Sequence, residues 1–154
     1  MQRFSEAAEN NKNHILLVLQ ERLPPNARVL EIGSGSGQHA LHMAAEMKSI
    51  IWQPTERSEG MPDLEKNLSD YGSPNILTPL QLDLSSEQWP DTDTNCVYSA
   101  NVMHIINEKL GESLVRGVGK NLSKEGLFIL YGPYKYSGDF TTQSNAEFDT
   151  WLKE

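Results

Sequence analysis

Apolar residues fall in two rhythms along this chain. Ile15, Leu16, Leu19 and Leu23 recur at helical spacing in an otherwise polar stretch and predict a helix over residues 6–22. Pro24-Pro25-Asn26 ends it. Short apolar runs bounded by turn residues then read as strands at 28–32, 49–53, 76–84, 95–100 and 127–131. Pro54 closes the second of these, and Pro79 places the third at an edge or a bulge. Between the strands, helical patterns cover 38–47, a stretch from Pro62 to about Tyr71, and 108–122. Pro62 sits in a first turn, where a helix tolerates proline best. The 108–122 helix is expected despite Gly111, Gly117 and Gly119. Ser144-Asn145-Ala146-Glu147 has the form of a capping box and opens a last helix. Alternating strands and helices imply a parallel sheet covered on both faces, joined by right-handed crossovers. In open sheets of this kind a ligand lies beyond the carboxyl ends of the strands.

The first strand runs straight into Glu31-Ile32-Gly33-Ser34-Gly35-Ser36-Gly37, and a helix follows at once. Strand, glycine turn, helix is how a nucleotide-binding α/β domain opens. Glycine permits positive φ and leaves no Cβ to hold a ligand off the loop, so a ligand can lie against the helix N-terminus. The glycines alone do not choose the nucleotide. A dinucleotide pattern fails from Gly33, because Gln38 holds its last position, but fits through Gly35, Gly37 and Ala40. Glu31 argues against a pyrophosphate, which it would repel, and for a ligand with an ammonium and a sulfonium. In these residues the chain resembles the class I S-adenosylmethionine (SAM)-dependent methyltransferases. The resemblance implies Glu31, Gly33, Ser34, Gly35 and Gly37 as cofactor-binding residues.

The remaining strand ends supply further candidates. Glu56, 25 positions beyond Glu31, offers a carboxylate to both hydroxyls of a ribose. Asp83 follows the third strand. The resemblance implies that it accepts from an adenine amino group while Leu84 packs on the ring. Asp83 equally suits a cap for the turn Ser85-Ser86-Glu87-Gln88. After the fourth strand, Asn101 offers both donors and an acceptor, and His104 can take a proton near neutral pH. Asn101, His104 and Tyr134 are the catalytic candidates, Asn101 also a cofactor contact. A histidine that merely holds the loop is the alternative for His104. Tyr131, Tyr134 and Tyr136 around Gly132-Pro133 suggest an aromatic substrate wall, whose faces would attract a cation.

Charge and composition narrow the partners. The 154 residues suffice for a single domain with a real core. Thirteen basic against 21 acidic residues give a net charge of −8, which argues against nonspecific nucleic-acid binding. The single cysteine, Cys96, allows no intrachain disulfide and no thiolate metal cluster. No apolar run reaches membrane-span length and the start lacks a signal-peptide core, so a cytoplasmic location is expected.

Several phrases together narrow the match: Ser5-Glu6-Ala7-Ala8-Glu9-Asn10-Asn11, Gly33-Ser34-Gly35-Ser36-Gly37-Gln38-His39-Ala40, Trp52-Gln53-Pro54, Asn101-Val102-Met103-His104-Ile105, Tyr131-Gly132-Pro133-Tyr134 and Ser144-Asn145-Ala146-Glu147-Phe148-Asp149. They resemble the methyltransferase-like family labelled DUF938, that of methyltransferase-like protein 26. The resemblance implies a Rossmann-like three-layer sandwich with parallel strands in the order 3-2-1-4-5. It implies SAM as cofactor, S-adenosylhomocysteine as product, and a small-molecule or protein acceptor it does not identify. Relatives often carry aspartate where this chain has Glu56, and continue for tens of residues past the position of Glu154. The final antiparallel strand pair would lie there. Without it the fifth strand is an edge, and association of two copies through it is expected. No metal is required. A module that holds the cofactor without turnover is the first alternative. A nicotinamide-dependent oxidoreductase using the Gly35-Gly37-Ala40 frame is the second, and Glu31 counts against it.

Overall fold

A computed structural model describes residues 1–136, 139, 140 and 143. The elements are α1 (Glu6–Arg22), β1 (Arg28–Ile32), α2 (Gln38–Glu46), β2 (Ile51–Glu56), α3 (Met61–Tyr71), β3 (Leu80–Gln81), β4 (Cys96–Ala100), α4 (Glu108–Asn121), β5 (Leu127–Tyr131), β6 (Lys135–Tyr136) and β7 (Asp139–Phe140). The first five strands form one sheet in the order β3-β2-β1-β4-β5, and every pairing in it is parallel. β6 and β7 make a small antiparallel pair that the sequence pattern did not suggest. The last helix, expected from Ser144, lies outside the described residues.

Side chains alternate across β1, and each face meets a different set of helices. Val29, with Trp52, Cys96 and Tyr98 from β2 and β4, packs on Ile15, Leu16 and Leu19 of α1 and on Ala40, Met43 and Ala44 of α2. Leu30 and Ile32 face the other way and pack with Val97, Leu82 and Leu84 against Leu114 and Val118 of α4. β1 and β4 are buried on both faces, so neither shows an apolar-in, polar-out alternation in its burial. Gly117 is buried in α4 because the Trp89 indole lies where its Cβ would be. The glycine therefore serves packing, which offsets its poor helix propensity.

Two strands depart from expectation. β2 does not stop before Pro54 but runs through it to Glu56. Ile51 N donates to Ala27 O on the β1 side, and Trp52 N donates to Asn75 O on the other. By the two-residue period, the Pro54 nitrogen faces β3, where pairing has lapsed between the bridge at Ile76 and Leu80. The missing donor costs no ladder bond there. β3 is correspondingly only Leu80–Gln81 instead of a strand over 76–84, with Pro79 just before it, and it forms an edge. Thr55 and Glu56 thus close β2 itself and are rigidly placed beside the glycine loop.

Candidate functional site

The loop between β1 and α2 bends back on itself, with Gly33, Gly35 and Gly37 all at positive φ. Their surroundings differ. A Cβ on Gly33 would come within 2.6 Å of Val102 Cγ2, so this glycine is required by packing against the loop after β4. A Cβ on Gly35 would meet nothing within 4 Å, leaving open space over the middle of the loop. The loop is tied to β2 by Ser34 N donating to Thr55 O at 2.8 Å and by Gly35 N donating to Glu56 Oε2 at 2.6 Å. Glu56 Oε1 also accepts from Arg57 N at 3.0 Å. The Glu56 carboxylate therefore stands directly against the loop, half-buried at the sheet's carboxyl edge.

Glu31 takes a different position from the one its sequence suggested. It lies on the α1/α2 face, 2% exposed, and its Oε2 accepts from Trp52 Nε1 at 2.9 Å and from Ser34 Oγ at 2.8 Å. Burial pushes its carboxyl up to about 7 against the lowering effect of those two donors, and the nearby Glu56 raises it further. Glu31 props the glycine loop from beneath; it does not project into the open space. Ser34 links the two elements, because its Oγ also accepts from Thr55 N at 3.1 Å.

Asp83 adopts the capping role weighed for it. Its Oδ1 accepts from Ser85 N and Ser85 Oγ, and these hydrogen bonds hold its pKa below the ordinary carboxylate value. Leu84, directly after it, packs in the core cluster against α4.

Asn101 and His104 both sit in the loop after β4. Asn101 is a non-glycine residue at φ 59, held there by its amide donating to Tyr131 O at 2.9 Å. Such a conformation at a strand end is costly and recurs at functional sites. The His104 ring meets Tyr134 edge-on, with centroids 4.9 Å apart. A Cβ on Gly132 would overlap His104 Nε2, so this glycine makes room for the imidazole. Nε2 is buried and has no hydrogen-bond partner among the described residues, and burial lowers the ring's pKa. The neutral ring with its proton on Nδ1 avoids burying an unpartnered N–H. An open groove of about 680 Å³ runs from Met103 and Ile106 along α4 past Gly111 and Val115.

Several residues here were not singled out from sequence. Trp52 is the donor that holds Glu31. His39 bridges α2 to Asn11 Oδ1 at 2.7 Å and to Tyr98 Oη at 2.9 Å, and burial pushes its pKa down to about 4. Gln38 and Asn67 are buried amides at the loop. A polar residue on a helix's apolar stripe was the available signal: Asn67 falls between Leu64 and Leu68. Cys96 is buried in β4, where desolvation raises its thiol to about 12, so it is no nucleophile. The described residues contain no group of three or more histidine, cysteine, aspartate or glutamate side chains placed to hold a metal ion. No helix among them is long and apolar enough to cross a membrane.

Several solved structures with this architecture are methyltransferases. The SAM-dependent methyltransferase SibL superposes with a TM-score of 0.78 over 94% of this chain and 41% of its own, at 16% identity. The mitomycin 7-O-methyltransferase does so with a TM-score of 0.77 over 95% and 41%, at 13% identity. A methyltransferase of calicheamicin biosynthesis, in its S-adenosylhomocysteine-bound form, gives 0.72 over 95% and 43%, also at 13% identity. The fold is thus the Rossmann-like fold of class I methyltransferases, and this chain spans about two fifths of their length. Residues 2–154 match the family described as a protein of unknown function, DUF938, and the chain belongs to that family.

Proposed function

We propose that this chain binds SAM and S-adenosylhomocysteine across the carboxyl ends of β1, β2 and β4, and transfers a methyl group to a small-molecule or protein acceptor. The observation that carries this reading is the pairing of open space over Gly35 with the Glu56 carboxylate at its edge. The loop backbone admits a nucleoside without steric conflict, and Glu56 accepts from its ribose hydroxyls. Asp83 Oδ1 is engaged by Ser85, so an adenine contact falls to Oδ2. The bound S-adenosylhomocysteine of the calicheamicin methyltransferase supports the ligand class.

When bound, the cofactor supplies a methyl group already activated by a sulfonium, so the protein's task is mainly alignment. Asn101 and His104, on the loop beside Gly33, hold the acceptor side. Neutral His104, with its proton on Nδ1, takes a proton at Nε2 where the acceptor must lose one, once loop movement exposes that nitrogen to the acceptor. Tyr134 fixes the plane of that ring.

Calorimetric titration with S-adenosylhomocysteine, SAM and NAD tests the cofactor. Binding of the first two without NAD is expected, and NAD binding alone would replace the reading with an oxidoreductase. A radiolabelled methyl-transfer assay over metabolite and protein pools then separates an enzyme from a module that only binds.

A further inference from the structure

Two buried amide side chains clamp the stretch before α1 onto the glycine loop. Asn67 Oδ1 accepts from Gln2 N at 2.8 Å, while its Nδ2 donates to Gln2 O at 2.9 Å and to Ser36 O at 2.8 Å. Gln38 Oε1 accepts from Ser5 N at 2.6 Å and from Ser36 Oγ at 2.9 Å, and its Nε2 donates to Ser5 O at 3.2 Å. Each amide thus holds both the N–H and the C=O of one residue in the stretch and, through Ser36, the loop as well. Both amides are almost fully buried, which makes their hydrogen bonds expensive to leave unmade. Gln2, Arg3 and Phe4, by contrast, are exposed and belong to no helix or sheet ladder. These two anchors are what the hydrogen bonding provides to hold them down.

Between the anchors, Arg3 is a non-glycine residue at φ 51. Its Nη1 and the Glu56 Cγ both lie 2.6 Å from the position a Cβ would take on Gly60. The guanidinium and the Glu56 side chain therefore share one small space, which exists because residue 60 is glycine. Arg3 Nε is also 3.9 Å from Asp63 Oδ2.

We propose that residues 2–5 form a strap across the ribose edge of the nucleoside site, latched to the glycine loop by Asn67 and Gln38, with Arg3 as a further ligand-site residue beside Glu56. This rests on the nucleoside reading above and adds what controls the ligand's entry and escape. A nucleoside seated on Glu56 packs against the strap and holds it closed. An open strap loses the Ser36 tether and loosens the loop. By linkage, the ligand stabilises the strap as much as the strap stabilises the ligand.

Trypsin provides a direct readout, because the Arg3–Phe4 bond lies in the strap. Saturating S-adenosylhomocysteine should slow cleavage there at least fivefold, followed by intact mass, while NAD leaves it unchanged. Arg3→Ala should raise the S-adenosylhomocysteine dissociation rate about tenfold in stopped flow without lowering the melting temperature. Arg3→Lys should recover part of the loss. Asn67→Ala should raise the same rate, and Glu65→Ala, exposed on the same helix, should not. Binding of S-adenosylhomocysteine with cleavage and dissociation both unaffected overturns the strap and leaves the nucleoside reading standing. Failure of the wild-type chain to bind any SAM-derived nucleoside overturns both.

Discussion

Glu56 Oε2 accepts a hydrogen bond from the Gly35 amide at 2.6 Å, joining the end of β2 to the tip of the glycine loop. The carboxylate is thereby oriented before any ligand arrives. Glu56→Ala should weaken S-adenosylhomocysteine binding by about 1.5–3 kcal/mol, the range for hydrogen bonds to a charged group. Gly35→Val should abolish binding more completely, because a β-branched side chain fills the open space and resists positive φ. Calorimetry on folded variants decides. An unchanged dissociation constant for Glu56→Ala excludes it from the ribose site, and normal binding by Gly35→Val removes the glycine loop from the cofactor site.

Asn101→Ala and His104→Ala should spare cofactor affinity and reduce turnover. For His104 the loss should reach roughly a hundredfold where the acceptor must be deprotonated. Gly132→Ala should act like His104→Ala, since the new methyl would displace the imidazole. Steady-state kinetics alongside S-adenosylhomocysteine titration separates the effects. A tenfold loss of cofactor affinity at both Asn101 and His104 would move them into the cofactor site.

Two buried groups give opposite pH slopes to stability. The Glu31 carboxyl is raised from 4.5 to about 7, so the stability it contributes is complete below its unfolded value and is lost as pH rises through about 7. The His39 imidazole is lowered from 6.5 to about 4, so its contribution is complete above 6.5 and is lost as pH falls through about 4. Glu31→Gln keeps an acceptor for Trp52 Nε1 and removes only the first slope. Relative to wild type it should gain about 3 kcal/mol between about pH 5 and about pH 8. The residual profile of the variant should fall on the acid side. Denaturant titrations across this range check it, and parallel profiles for the two proteins would place Glu31's titration outside this window.

Among the described residues, β5 is an edge of the five-stranded sheet. Its unpaired side presents the backbone of an apolar strand, Leu127–Tyr131, which favours pairing with a second copy. Light scattering with serial dilution should show a concentration-dependent dimer. A monodisperse monomer that unfolds cooperatively at an ordinary mesophilic temperature overturns this.

What the chain determined by itself is the set of features written locally. α1 and the central strands follow from apolar spacing, and Gly33, Gly35 and Gly37 sit at positive φ as their spacing implied. The parallel order needed only the alternation of strands and helices together with the family resemblance. The roles of polar side chains were decided by partners distant in sequence. Glu31 points inward because Trp52, 21 residues on, brings a donor to the same face of the sheet. Leu84 enters the core because α4 covers that face, and β2 continues through Pro54 because β3 is absent opposite its nitrogen. Asn67 reaches Gln2 across 65 residues. A carboxylate or amide near a motif looks the same in sequence whether it faces ligand or core. Only packing, through the need to satisfy every buried polar atom, decides which.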